Sequence, residues 1–183
     1  RLLARDLALR VRGPERLGIV GRNGAGKTTL LRRLLEALEA RDGYQVGYLP
    51  QDYAEAMDPA KTPVEFLAPG GGKEAVTAAR TRLGSLNFTP QEMLHPMDAL
   101  SGGQKAKLLL LRLCMSGAGV LVLDEPTRNL SPLSGPEIRA LLSSFPGAIL
   151  SVSHDRKYLG EVCTRVLELT EAGLREADGR SFG

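Results

Sequence analysis

Apolar residues along this chain fall into two patterns. Short blocks at 17–20, 120–123 and 148–152 are rich in Leu, Ile and Val and bounded by turn-forming or polar residues. They read as strands buried on both faces of a parallel sheet. Longer stretches at 28–38 and 104–115 carry apolar residues at helical spacing and read as helices. A weaker alternation over 2–12 predicts a first strand, Gly13-Pro14-Glu15 a turn, and 165–170 a late strand.

Between residue 51 and the block at 120–123 the pattern changes to short helices set off by punctuation. Thr62 and Pro63 suit the N-cap and first position of one helix, 68–72 is a glycine-containing break, and 73–83 reads as a helix ending at Gly84. Thr89-Pro90 opens another. Ser101 is an apt N-cap for the leucine-rich helix, which Gly117 ends. Farther on, Ser134 with Glu137 predicts a capping box for a helix to about residue 144, and Pro146-Gly147 breaks it before the next strand. The expected organisation is one α/β domain over 1–183, with a core at 1–51 and 118–183 and a helical subdomain at about 52–117. There is no internal repeat or heptad seam.

Composition narrows this little. A chain of 183 residues suits one domain burying roughly two-thirds or more of its unfolded surface. No stretch approaches the roughly twenty apolar residues of a membrane helix, so a soluble, cytoplasmic protein is expected. Cys114 and Cys163, the latter on a helix before the late strand, lack ligand spacing and read as buried thiols of a reducing compartment. A net charge of +3 from 24 basic and 21 acidic residues implies no nucleic-acid surface.

The chemistry lies at the punctuation. Gly21, Gly26, Lys27 and Thr28 fit G-x-x-x-x-G-K-[ST], placed between a strand and a helix as that motif requires. The glycines let backbone N–H groups turn inward around an anion, and the helix start adds positive potential. Residues Asn23, Gly24, Ala25, Gly26, Lys27, Thr28 and Thr29 are therefore expected to cradle nucleotide phosphates. Lys27 would supply the charge and the Thr28 hydroxyl would ligate Mg²⁺. A glycine-rich turn before a helix is the plain alternative. Asp124, ending the 120–123 block, lies where open α/β sheets bind ligands and can hold the hydrated Mg²⁺ opposite Thr28. Glu125 is the candidate to polarise the water that attacks the γ-phosphate; without the glycine loop the pair would read as a solvated strand exit. Ser101, Gly102, Gly103 and Gln104 open a helix whose exposed N–H groups make a second anion site, or simply cap it.

In order, residues 21–29, Gln51 after Tyr48-Leu49-Pro50, residues 100–104, residues 120–127 and Ser153-His154-Asp155 resemble the Walker A, Q-loop, signature, Walker B and switch-histidine motifs of ATP-binding cassette proteins. The resemblance spans nearly the whole chain. It implies a P-loop NTPase fold, ATP and Mg²⁺ as ligands, and Mg²⁺-dependent ATP hydrolysis by two cassettes closed head to tail. Ser101 to Gln104 of one cassette would then cap the ATP held by the other. It also implies that Gln51 senses metal and water and that His154 contacts the γ-phosphate. Residues 153–159, SHDRKYL, and 125–138 are similar to segments of the F subfamily, more like a second cassette than a first. That branch implies a cytosolic, ribosome-directed protein in translation or antibiotic resistance. Ser131 stands where that family usually carries an aspartate. Cassettes usually stack adenine on an aromatic residue before the Walker A loop; residues 1–20 contain none, so a cassette lacking its first strand is expected, the alternative being a base held by aliphatic and cationic contacts. The motor subunit of a membrane transporter and a nucleotide-gated binding module stay open as alternatives.

Overall fold

The computed structural model of the protein describes residues 9–51, 57–128, 130–132 and 134–177. Six strands form one sheet: β1 (Arg16–Val20), β2 (Val46–Leu49), β3 (Val120–Asp124), β4 (Ala148–Val152), β5 (Arg165–Thr170) and β6 (Gly173–Glu176). Their spatial order is β2-β3-β4-β1-β5-β6, parallel throughout except that β6 returns antiparallel along the β5 edge. Among the described residues six α-helices flank it: α1 (Lys27–Glu39), α2 (Pro63–Leu67), α3 (Lys73–Ser85), α4 (Gly102–Met115), α5 (Gly135–Ser143) and α6 (Arg156–Glu161).

The period-two alternation of a strand assigns each side chain to a face. Val120 and Val122 of β3, with Leu17 and Ile19 of β1, face Leu31 and the apolar stripe of α1. Leu121 and Leu123 face the other way, into a core shared with Leu108 and Leu111 of α4, Ile138 of α5 and Tyr158 of α6. That core runs on without a break through Val64, Phe66 and Leu83, so α2 and α3 are anchored to the sheet. Close approach needs small residues in the strands. A Cβ on Gly47 would sit 2.7 Å from Leu121 Cδ2 and 3.3 Å from Leu113 Cδ2 of α4, and one on Gly18 would sit 2.6 Å from Leu159 Cδ2 of α6.

Several expectations are corrected. Residues 9–12 form no strand, and 1–8 of that stretch lie outside the described residues. Helix α3 passes through Gly84 to Ser85 because the left-handed stop is Asn87, at φ 60, three residues later. Its amide donates to Gly84 O and that of Phe88 to Leu83 O, a Schellman pair. Thr89-Pro90 opens only a turn: Thr89 Oγ1 accepts from Glu92 N at 3.3 Å and Glu92 Oε2 accepts from Thr89 N at 2.7 Å, but no helix follows before Pro96. Ser134 caps α5 by position without a side-chain bond to the helix's amides; its hydroxyl instead meets Ser131 Oγ at 3.1 Å, and Glu137 turns to other partners. Cys163 lies beyond the end of α6. Strands β2 and β6 were not foreseen.

Candidate functional site

Register brings three chain exits to one edge of the sheet. Ile19 of β1 lies opposite Val152 of β4, which lies opposite Asp124 of β3. The glycine loop after β1, Glu125 after β3 and Ser153-His154 after β4 therefore emerge side by side at the carboxyl edge, where parallel sheets bind ligands.

The loop from Gly21 to Gly26 bends through three glycines at positive φ, Gly21 at 151, Gly24 at 77 and Gly26 at 94. Gly26 is the N-cap of α1 and brings no capping side chain, and the first turn carries no acid. The positive end of the helix thus faces the loop uncompensated. Lys27 is only 7% exposed. Its ammonium folds back onto the loop, donating to Gly21 O at 2.8 Å and Arg22 O at 3.0 Å. Burial pulls its pKa below the ordinary lysine range, partly offset by the negative charges of Glu125 and Asp124.

Asp124 is 2% exposed, and neither carboxylate oxygen meets a hydrogen-bond donor among the described residues. A buried carboxylate left so calls for a positive partner. Glu125 turns the chain sharply at φ 53, its amide donating to Val152 O at 2.9 Å. Its carboxylate, 15% exposed, accepts from His154 N at 3.3 Å and lies 3.3 Å from His154 Nε2. Burial pushes the Glu125 carboxyl above the usual range; the His154 charge and amide oppose that push, and Asp124 adds to it.

A cavity of about 450 Å³ gathers Asn23, Gly24, Gly26, Lys27, Thr28, Thr29, Gln51, Asp124, Glu125 and His154. Ala25 is absent from that lining: its amide donates to Arg22 O at 3.1 Å and its methyl packs on the core beneath α1. Hard oxygen donors, the Asp124 carboxylate with the Thr28 hydroxyl and the Gln51 amide, share the cavity, and that donor set fits Mg²⁺. An adjoining cavity of about 560 Å³ shares Asn23, Gln51, Glu125 and His154 and adds Thr127, Arg128 and Asp155. Sequence reasoning passed over these three residues, although they sit inside the stretches it singled out. Asp155 also caps α6, accepting from Lys157 N at 2.9 Å and Tyr158 N at 3.2 Å.

Ser101, Gly102, Gly103 and Gln104 line neither cavity. They form the predicted cap of α4. Ser101 Oγ accepts from Gln104 N at 3.3 Å, and Gln104 Oε1 accepts from Ser101 N at 2.9 Å. The Gln104 amide also donates to Glu92 Oε1 at 2.6 Å. Among the described residues no helix is long and apolar enough to cross a membrane.

Known proteins are similar to this chain. The family model described as ABC transporter matches residues 4–128. ATP-binding protein Uup of Escherichia coli (strain K12) is 36% identical over 88% of this chain and 27% of its own length. ABC transporter F family member 2 of Arabidopsis thaliana is 29% identical over 98% of this chain and 28% of its own. The chain thus spans about a quarter to a third of the length of these curated relatives. A solved structure of the ATP-binding cassette MJ0796, a dimer in a post-hydrolysis state bound to ADP and Pi, superposes with a TM-score of 0.78 at 20% identity. That match covers 96% of this chain and 90% of that one. The chain belongs to the ABC transporter family, as an ABC-F-like cassette. Cassettes of this family are ATPases.

The raised carboxyl of Glu125 means that the folded chain binds its proton more tightly than the unfolded chain does. Stability from this group is therefore present at low pH and is lost as pH rises above the ordinary Glu range. Glu125→Gln should raise the urea midpoint at pH 7, and the gain should shrink as pH falls toward about 4. A gain that grows on acidification would contradict the assignment.

Proposed function

We propose that this cassette binds MgATP between its glycine loop and the Asp124–Glu125 strand end, and hydrolyses it once a second cassette closes over the nucleotide. The observation carrying this reading is the buried Asp124 carboxylate, without a donor among the described residues, set in one cavity with Lys27 and the uncapped start of α1. Such an arrangement suits a polyanion accompanied by a divalent cation. In this reading the helical arm, about 52–117, carries the signature and the rest forms the nucleotide core.

The residues then take these roles. Lys27 exchanges the carbonyls of Gly21 and Arg22 for the β- and γ-phosphate oxygens, while the amides of Asn23 to Thr29 hold the chain of phosphates. Mg²⁺, held by Asp124, Thr28 and Gln51, would neutralise charge on the phosphates. Glu125, whose pKa is raised toward the working pH, accepts a proton from the attacking water as the bond between the γ-phosphorus and the bridging oxygen breaks, giving ADP and phosphate. His154 orients Glu125 through the contact at 3.3 Å and reaches the γ-phosphate. Gln51, an exposed residue at the cavity mouth, follows metal and water.

The second cassette is needed because Ser101 to Gln104 stand apart from this chain's own cavity. Brought across from a partner, the amides at the start of α4 would cap the γ-phosphate. The dimeric state of the MJ0796 cassette supports that arrangement. We further infer a cytoplasmic, ribosome-directed role in translation or antibiotic resistance, supported by the likeness of residues 153–159 to the F subfamily.

Lys27→Ala should abolish ATP binding by calorimetry. Glu125→Gln should keep binding and lower turnover by about 10²- to 10⁴-fold. Retained affinity in the first, or unchanged turnover in the second, would overturn the reading. The intact Glu125→Gln protein should pellet with ribosomes in the presence of ATP; co-purification with a membrane subunit instead would favour a transporter motor.

A further inference from the structure

We propose that Lys107 and Glu137 form a positioning pair that fixes the signature end of α4 against α5, and through α5 against the segment leaving Glu125. The inference rests on the nucleotide-site reading above, since it assigns how that site's second half is held in place.

Lys107 is a charged residue where the helix pattern asks for an apolar one. It lies on α4 between Ala106 and Leu108, both buried, and is itself 7% exposed. Its ammonium donates to Leu86 O at 3.1 Å and lies 3.4 Å from Glu137 Oε2. Glu137 sits in the first turn of α5 and accepts no hydrogen bond at Oε2; its Oε1 accepts from the Asn87 amide. Asn87 is the left-handed residue that stops α3. Three elements, the end of α3, the first half of α4 and the start of α5, therefore meet at one charge pair whose lysine is buried and whose carboxylate side chain is 22% exposed.

Packing alone does not ask for this pair. The surroundings are apolar, with Leu108, Leu111 and Ile138 in one core, and well-packed hydrophobic residues often replace buried ion pairs without loss of stability. Apolar surfaces tolerate sliding, whereas a buried ammonium, a half-buried carboxylate and an amide must meet at one register. Lys107 is six residues from Ser101, roughly 9 Å along the helix axis at 1.5 Å per residue. Glu137 follows the turn that runs on from Glu125 through Thr127 and Arg128, which line the cavity beside it. The bracket thus joins the helix that carries the tip offered to a partner's nucleotide to the helix that follows the strand end serving this chain's own. A nearby link, Gln104 to Glu92 at 2.6 Å, restrains the same tip from the side of the turn after α3.

The test uses the intact protein with Lys107→Met, Glu137→Gln, Lys107→Arg and the exchanged double variant, Lys107→Glu with Glu137→Lys. A fluorescent ATP analogue reports affinity, steady-state turnover reports kcat, and a thermal melt reports folding. Each neutralising single variant should lower kcat about tenfold or more, the cost of misplacing a group by about an ångström or less, with analogue affinity held within about twofold. Lys107→Arg should retain most of the turnover, and the exchanged pair should recover at least about fivefold over the weaker single variant. Should Lys107→Met fail to fold, Asn87→Gly keeps the left-handed stop and releases Glu137 from one side. It should lower kcat at least about threefold without changing affinity. Unchanged kcat in folded variants, or losses that follow melting temperature and are rescued by neither Arg nor the exchange, would overturn the proposal. If Lys27→Ala also leaves analogue binding intact, the nucleotide site itself is misassigned. If Lys27→Ala abolishes binding while the Lys107 and Glu137 variants turn over normally, only the positioning role falls.

Discussion

The carboxylate of Asp124 is a buried negative charge with no donor among the described residues, and the rest of the site is arranged around it. Desolvating such a group unpaired costs several kcal/mol. The chain places it at the end of β3, a strand buried along its whole length, facing the lysine and the positive helix start that follow β1. A fold that accepts this cost leaves a position for a cation at the one edge where three parallel strands end together. Lys27, drawn back onto its own loop carbonyls, shows the complementary condition: a positive group whose charge is held by weak dipoles until a stronger anion competes.

Sheet order turns that local tension into a site. With β1 and β3 on either side of β4, the glycine loop, the acidic pair and His154 are delivered from sequence positions far apart to one cavity, where Glu125 lies 3.3 Å from His154. The left-handed turn at Glu125 belongs to the same logic, because it swings the second carboxylate away from the first and toward His154. Two adjacent acids thereby acquire different surroundings: Asp124 is dry and unpartnered, whereas Glu125 is partly wet and held by an amide and an imidazole. Divergent environments of this kind let one fold separate metal binding from proton transfer.

Much of this was legible from residue order. The apolar blocks that became β1, β3 and β4 are continuous because both faces are covered, and the glycine loop, Asp124, Glu125 and the Ser101–Gln104 cap occupy the places their spacing implied. What escaped had physical reasons. Strand β2 carries Gly47 and Tyr48 and gains its stability from pairing with β3, and β6 is a short polar edge strand. The end of α3 was misread because Asn87 took the left-handed role expected of Gly84. The capping box at Ser134 failed because Glu137 faces Lys107, a tertiary partner that local pattern cannot announce. Thr127, Arg128 and Asp155 were missed as cavity residues because depth at the sheet edge depends on how far each exit loop turns.

The central claim is that Asp124 is left unpartnered by the protein so that a divalent cation can complete it. Electron paramagnetic resonance of Mn²⁺ with a nonhydrolysable ATP analogue reads this directly in the parent and in Asp124→Asn. The account predicts an immobilised Mn²⁺ signal in the parent that Asp124→Asn loses, while the variant melts no lower than the parent without metal, since a buried charge has been removed. An equally immobilised signal in Asp124→Asn would contradict it.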